Sequence, residues 1–159
     1  MAALLTLGTC AALAVGGLVA LLPGGGSQAG AEWPSRPVQA AVKVASDCVA
    51  GFLTISVETV GDDLDEVLAC STGEFREQYK AGMREVREAV VSNKVTSTGE
   101  VLRSGVVRAE ADTVVVLLAV DAKVKNVTTP RGRQAHYRVQ VDMTLVKDRW
   151  LVSKLEFVD

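Results

Sequence analysis

Residues 114–124 read Val-Val-Val-Leu-Leu-Ala-Val-Asp-Ala-Lys-Val, and this stretch decides the fold. Every second residue from Val114 to Val124 is apolar, which is the period of a β-strand, because successive side chains of a strand point to opposite faces of the sheet. Val115 and Leu117 also make the first half of the stretch apolar on its other face. We therefore place this strand in the centre of a sheet.

The same two-residue period predicts three more strands. One precedes the central strand at about Val95–Arg108, where Gly99 and Gly105 indicate a bulge or bend. Another alternates almost perfectly over residues 137–145. The last strand follows a turn, and its apolar side chains are predicted to divide between two faces: Leu151, Leu155 and Phe157 on one, Trp150 and Val152 on the other.

Upstream of the strands the apolar period becomes that of α-helices. A first helix begins at residues 35–37 with an early proline and fades near Val57. A short second helix opens with the acidic residues 62–66 and ends at residues 70–73. A third begins where Ser71 and Glu74 have the spacing of a capping box, and ends at residues 93–94.

Three helices followed by four sequential strands predict an α+β fold, in which the helices pack on the inner face of a curved antiparallel sheet. This order is similar to the cystatin-like cone of the nuclear-transport-factor-2-like superfamily.

The charged residues divide the chain into two parts. All 17 basic and 19 acidic side chains lie between Glu32 and Asp159. We predict a transmembrane anchor over residues 1–23, because about 20 apolar residues in a helix span a bilayer, then a flexible linker over 24–34 and an extracytoplasmic α+β domain over 35–159. A cleaved signal peptide is the alternative, with Ala29-Gly30-Ala31 as its cleavage site.

The orientation of this anchor is not supported by its flanking charges. No Lys or Arg precedes the apolar run, whereas Arg36 and Lys43 follow it, so the positive-inside rule does not favour an external domain. One hypothesis is that a basic segment lies upstream of Met1 in the native protein. Peptide mass spectrometry of the native N-terminus would refute it if no earlier residue were found.

Composition and motifs exclude several classes of site. A net charge of −2 argues against a non-specific nucleic-acid binder, which should be basic. One histidine and three separated cysteines provide no ligand cluster for a metal, and no glycine-rich phosphate loop follows a strand. We therefore predict no metal and no cofactor.

Catalysis would need a tuned base facing a pocket and a donor for developing charge. His136 has an outward phase beside a loop, and we interpret it as solvated. Asp121 lies near Lys123 and Lys125, which indicates a surface ion pair. Tyr79 and Tyr137 follow apolar stripes, as core residues with a hydroxyl at the rim. No pair has catalytic spacing, so we predict that the protein is not an enzyme.

Three arginines in or near the polar loop over residues 126–134, which joins the central strand to the next predicted strand, are candidates for contact with a partner or a lipid headgroup. These are Arg131, Arg133 and Arg138. A solvated hairpin tip is the alternative interpretation.

Several runs resemble the actinobacterial Mce-associated membrane proteins over about residues 38–157. The runs are 47–50 (Asp-Cys-Val-Ala), 68–75 (Leu-Ala-Cys-Ser-Thr-Gly-Glu-Phe), 119–126 (Ala-Val-Asp-Ala-Lys-Val-Lys-Asn), 137–139 (Tyr-Arg-Val) and 150–156 (Trp-Leu-Val-Ser-Lys-Leu-Glu). The resemblance implies a single-pass anchor, an extracytoplasmic nuclear-transport-factor-2-like domain without known catalytic activity, and an accessory role beside Mce transporters that import fatty acids or sterols. The alternative is a small apolar-ligand binder or isomerase that uses the cavity of the cone.

The cysteines predict one disulfide. Cys10 lies inside the predicted span, which leaves Cys48 and Cys70 as a pair outside the cytoplasm, where disulfides persist. Cys48 lies on or beside the buried face of the first helix, and Cys70 ends the second helix, where a chain reversal would bring it back to the first. Two buried free thiols are the alternative.

Overall fold

The computed structural model describes residues 35–159, which form one α+β domain. Its helices are α1 (Arg36–Leu53), α2 (Val60–Ala69) and α3 (Gly73–Asn93). Its strands are β1 (Ile55–Ser56), β2 (Thr96–Ala109), β3 (Thr113–Lys125), β4 (Arg133–Val146) and β5 (Arg149–Val158). The predicted anchor over 1–23 and the linker over 24–34 lie outside the described residues. Among the described helices, none is long and apolar enough to cross a membrane.

The five strands form one antiparallel sheet in the order β1-β2-β3-β4-β5. The predicted fold class and the central position of β3 are confirmed, but the predicted count of four strands is wrong. β1 has only two residues, Ile55 and Ser56, which pair with Ser97 and Thr96. A strand of two residues is too short to show an alternating pattern in the sequence. Because this strand follows α1 directly, the helix ends at Leu53 and not near Val57.

The hydrophobic core lies between the helices and the inner face of the sheet. Val116, Leu118, Val139 and Val141 have no exposed surface, and they alternate with the outward residues of β3 and β4. α1 covers this face with its own buried stripe, which consists of Ala41, Ala45, Cys48 and Val49.

A bulge in β5 overturns the prediction that its apolar side chains divide between two faces. Asp142 of β4 pairs with Lys154, and the next residue, Met143, pairs with Val152, which leaves Ser153 as the extra residue. The phase of the strand changes there. The inward side chains are therefore Trp150, Val152, Leu155 and Phe157, which pair with the inward residues of β4.

The connection from α2 to α3 runs along β5, and the predicted capping box is absent. Thr72 N–H donates to the carbonyl of Val152, and Val152 N–H donates to the carbonyl of Cys70. Ser71 is buried and its hydroxyl donates to the carbonyl of Leu68, so Thr72, and not Ser71, occupies the N-cap position of α3. Contacts with β5 thus decide where α3 begins.

β2 is irregular at positions other than the two glycines that predicted a bend. Its pairing with β3 slips between Val101 and Arg103 and again between Val106 and Arg108, so Leu102 and Val107 are the extra residues. Gly99 has a different role. A Cβ there would lie 2.5 Å from Cβ of Leu53, so glycine permits the end of α1 to approach the sheet.

Candidate functional site

The outer face of the sheet, opposite the helices, carries a depression that contains ionisable side chains. Ala119 pairs with Arg138 and Asp121 with His136, and their side chains share this face because they alternate with the buried ones. Ala119, which has a small side chain, lies among the residues that line a depression of about 500 Å³. The residues that line it are Leu102, Ala119, Val120, Asp121, His136, Tyr137, Arg138, Phe157, Val158 and Asp159.

A carboxylate–imidazole pair lies at one end of this depression. Nδ1 of His136 donates to Oδ1 of Asp121 across 2.6 Å, and Nε2 of Gln134 donates to Oδ2 across 2.7 Å. The Asp121 side chain is 19% exposed, whereas that of His136 is 72% exposed. The hydrogen bonds from His136 and Gln134 hold the pKa of Asp121 below its ordinary value, because they stabilise the charged carboxylate.

The predicted ion pair between Asp121 and the lysines of its own strand is therefore wrong. Lys123 and Lys125 follow Asp121 on the same face, but residues two apart on a strand are separated by about 7 Å. A directly opposite residue on the neighbouring strand has its Cβ within about 5 Å, and His136 occupies that position. The outward and exposed position of His136 is confirmed.

The Asp121–His136 pair lacks the partner groups that nucleophilic catalysis would require within the depression. An imidazole oriented by a carboxylate can act as a base, but nucleophilic catalysis also needs a hydroxyl or thiol beside it. The ten lining residues include no Ser, Thr or Cys. Tyr137 contributes a hydroxyl, but its side chain alternates with that of His136 and its ring packs on Phe157, with centroids 5.3 Å apart. The geometry favours hydrogen bonding to a polar group over covalent chemistry.

Aromatic rings fill the space between α1, α3 and the end of β5. Phe52 contacts Phe75, Tyr79 and Phe157, with ring centroids 5.9–6.3 Å apart. Burial, together with the charges of the nearby acidic residues of α2, raises the pKa of Tyr79 to about 12. Its hydroxyl consequently stays protonated at neutral pH and cannot act as a base. Both tyrosines are half-buried, as their apolar stripes predicted.

The three candidate arginines do not form one patch. Arg131 lies in the turn before β4 and Arg133 is the first residue of that strand, so both are exposed at one end of the sheet. Arg133 pairs with Val124, which places it on the inner face, whereas Arg138 pairs with Ala119 on the outer face. Arg138 therefore belongs to the depression and the other two to the loop.

Cys48 and Cys70 are joined by a disulfide, as predicted, with their Cα atoms 6.0 Å apart. Cys48 is 4% exposed on the inner stripe of α1, and Cys70 caps α2. The bond thus links the two helices that lie at the start of the domain. Among residues 35–159, no group of three His, Cys, Asp or Glu side chains converges to hold a metal ion.

A family model described as uncharacterized protein Rv1363c/MT1408-like matches residues 7–159. The chain belongs to this family. Two relatives from Mycobacterium tuberculosis match more narrowly. Uncharacterized protein Rv1363c is 26% identical over 69% of this chain and 42% of its own length, and uncharacterized protein Rv1362c is 28% identical over 76% and 55%. The chain therefore spans about half the length of these curated relatives.

Solved structures show the same fold in bacterial envelope proteins. The periplasmic domain of DotI superposes with a TM-score of 0.64 at 14% identity, over 81% of this chain and 99% of that domain. An IcmL-like type IV secretion system protein from Legionella pneumophila superposes with a TM-score of 0.62 at 13% identity. The match covers 79% of this chain and 93% of that protein chain. The α+β fold expected from the element order, with helices on one face of an antiparallel sheet, is confirmed and is shared with these structures.

Proposed function

We propose that this protein is a membrane-anchored, non-catalytic accessory subunit of an Mce-type transporter that imports fatty acids or sterols. In this proposal residues 35–159 lie on the extracytoplasmic side and act by contact with the transporter. The observation that carries the proposal is the fold of the whole domain. It matches the periplasmic domain of DotI over 99% of that domain and 81% of this chain.

The disulfide supports the extracytoplasmic location. Disulfides persist in oxidising compartments and are rare in the cytosol, where thiols stay reduced. Cys48 and Cys70 are the two cysteines of the described domain, and they are bonded to each other. The stretch over residues 1–31 has no charged side chain and is long enough for a membrane anchor, which would hold this domain beside the bilayer.

The transporter partner is inferred from sequence resemblance. Residues 68–75 and 119–126 resemble Mce-associated membrane proteins, and both runs lie at defined places in the fold. The first contains Cys70 and the junction of α2 with α3, and the second is the end of β3 that carries Asp121. Family membership with mycobacterial relatives is consistent with this inference.

Deletion of residues 32–159 in the native host tests the accessory role. We expect less assembled transporter and less uptake of a radiolabelled fatty acid or sterol. Crosslinking in native membranes followed by mass spectrometry should recover transporter subunits, and Arg131→Glu with Arg133→Glu should reduce that recovery if the loop makes the contact. Arg84→Glu, at an exposed arginine of α3, is the matched control. Unchanged transporter levels and uptake after the deletion would contradict the proposal.

Point variants in the depression separate contact from catalysis. Asp121→Asn, His136→Ala and Tyr137→Phe should leave uptake nearly unchanged, because the proposal gives these side chains no chemical role. A loss of about 100-fold in uptake from any of them, at normal protein level, would indicate a catalytic role.

A second candidate function is the binding of a small amphiphile. It is favoured by the depression of about 500 Å³, whose apolar walls adjoin Arg138 and the Asp121–His136 pair. This depression lies on the outer face of the sheet, whereas the expectation was a cavity between sheet and helices. Native mass spectrometry of the purified chain would detect a stoichiometric lipid. Ala119→Trp, which places a large side chain in the depression, should remove that lipid if the depression binds it.

A further inference from the structure

Among residues 35–159, the second half of β2 has no neighbouring strand along one of its two edges. β1 covers only Thr96 and Ser97, and the hydroxyl of Thr54 accepts the N–H of Gly99. Beyond Gly99, β3 is the only strand of the described residues that pairs with β2, and it does so along one edge. Such an edge presents a row of unpaired backbone donors and acceptors, which is a template for another strand.

Three apolar side chains along this edge are exposed. Leu102 is 41% exposed, Val106 is 38% exposed and Val107 is 59% exposed. Proteins commonly protect an edge of this kind with a β-bulge, because the extra residue shifts a regular incoming strand out of register. The edge of β2 carries two bulges, at Leu102 and at Val107, so a regular strand would lose its register twice.

A second copy of β2 does not meet this obstacle. When two copies lie antiparallel about a two-fold axis at Ser104, residues 101–102 of one copy face residues 106–107 of the other. Each of these segments contains one extra residue. The irregularities therefore match, and the register continues on both sides of them.

The faces of the strand also agree in this arrangement. Glu100, Arg103, Gly105 and Arg108 all point to the outer face, because their partners on β3 are its outward residues. The two-fold axis places Glu100 opposite Arg108 of the second copy, and Arg103 opposite Gly105, which leaves room for the long side chain. β1 and the contact between Thr54 and Gly99 lie outside the paired segment, so neither blocks it.

We propose that residues 100–108 of β2 pair with the same residues of a second copy of this chain and join the two sheets. Each dimer then contains two cross-strand pairs between Glu100 and Arg108. Arg108 is free to make them, since its contact with Glu110 is 3.4 Å long and both side chains are mostly exposed. Repulsion between the two Arg103 side chains near the axis opposes pairing, but it is one contact against two. The charges fix the register, and the backbone hydrogen bonds and apolar side chains hold the strands together.

A cysteine on the two-fold axis tests the geometry directly. Ser104→Cys, in the full chain with Cys10→Ser, should give a covalent dimer under mild oxidation, because residues directly opposite on antiparallel strands have Cβ atoms about 5 Å apart. Ser92→Cys, at an exposed serine of α3, is the control and should remain largely monomeric. Equal crosslinking of the two variants would overturn the proposal.

A charge exchange tests the register. Glu100→Arg and Arg108→Glu should each weaken dimerisation about tenfold, because each variant replaces two attractive pairs with two repulsive ones. The double variant should restore the wild-type dimer, since it exchanges the partners without losing a pair. Sedimentation equilibrium of the purified full chain measures all four proteins, and near-ultraviolet circular dichroism verifies that each is folded. Failure of the double variant to recover, or dimers that are insensitive to both single changes, would contradict the proposed interface.

Discussion

The two faces of β3 and β4 are made by alternate residues of the same strands, yet they differ in almost every physical property. On the inner face Val116, Leu118 and Val139 are fully buried under the helices. On the outer face Leu117 is 38% exposed, and the neighbouring row holds the Asp121–His136 pair. The comparison indicates that most of the stabilising burial of apolar side chains occurs on the inner face. Charged side chains and a depression on the outer face therefore reduce stability little.

Adjacent leucines provide the strongest test of this difference. Leu118→Ala should lower the free energy of unfolding by about 4 kcal/mol, because it removes buried surface and leaves a cavity in a close-packed core. Leu117→Ala removes the same atoms from the outer face and should lower it by less than about 1 kcal/mol. Denaturant titration of both variants measures the two values. Equal losses would contradict the exposed position of Leu117 on the outer face of the sheet.

The disulfide contributes to the helical layer that covers the inner face. Replacement of both Cys48 and Cys70 by alanine should reduce the free energy of unfolding by about 3 kcal/mol, since the bond closes a loop with a sequence separation of 22. Cys10→Ser leaves this bond intact and is the control in the same denaturant titration. If quantitative alkylation labels Cys48 and Cys70 without a reductant, the bond is absent from the native protein and the extracytoplasmic location loses its support.

Gly99 and Gly105 of β2 lie on opposite faces of the sheet, so substitutions at these two positions test the difference between the faces within one strand. Gly99 lies under α1, where an added Cβ would meet Leu53 at 2.5 Å and the carbonyl of Ala50 at 3.0 Å. Gly99→Ala should therefore reduce the free energy of unfolding by about 1–3 kcal/mol through overpacking. Gly105 points to the outer face with no atom within 4 Å of an added Cβ, so Gly105→Ala should be neutral or slightly stabilising. Thermal unfolding midpoints decide between these expectations.

The smallest effect concerns the titration of Asp121. Its pKa lies below the ordinary value of 3.8, so the stability that this carboxylate provides is present above about pH 4 and is lost as the pH falls through its folded-state pKa. His136→Ala removes the largest cause and should raise the pKa of Asp121 toward 3.8. Carbon-13 NMR of the carboxyl group measures the change, and Gln140→Ala on the same face of β4 should leave the titration unaltered. An unchanged titration in His136→Ala would mean that this hydrogen bond is absent in solution.

Elements with a long regular period were predictable from the sequence. β3 alternates over eleven residues and β4 over nine, and α1 and α3 show helical spacing over whole turns, so their type was accessible from the sequence. The disulfide was accessible by elimination, because only two cysteines remain outside the first 31 residues. β1 and the bulge at Ser153 were not accessible, since neither leaves a pattern longer than two residues.

The Asp121–His136 pair shows why the candidate site was only partly predictable. Each residue was correctly placed on the outer face, but their contact depends on which residues of β3 and β4 lie opposite each other. That register follows from the length and geometry of the intervening loop. A hairpin alignment that matched the inward residues Val120 and Tyr137 would have revealed the pair.

The sequence by itself determined the order and type of the main elements, the buried faces of β3 and β4, and the cysteine pair, because these depend on residue periodicity and on counting. Tertiary structure alone decided the register of the strands, the fifth strand, the start of α3 along β5, and the partner of Asp121. The physical reason is range. Periodicity is a local property, because it depends only on which side chains of one segment face the core. Register and bulges depend on hydrogen bonds between segments that come together only when the chain folds.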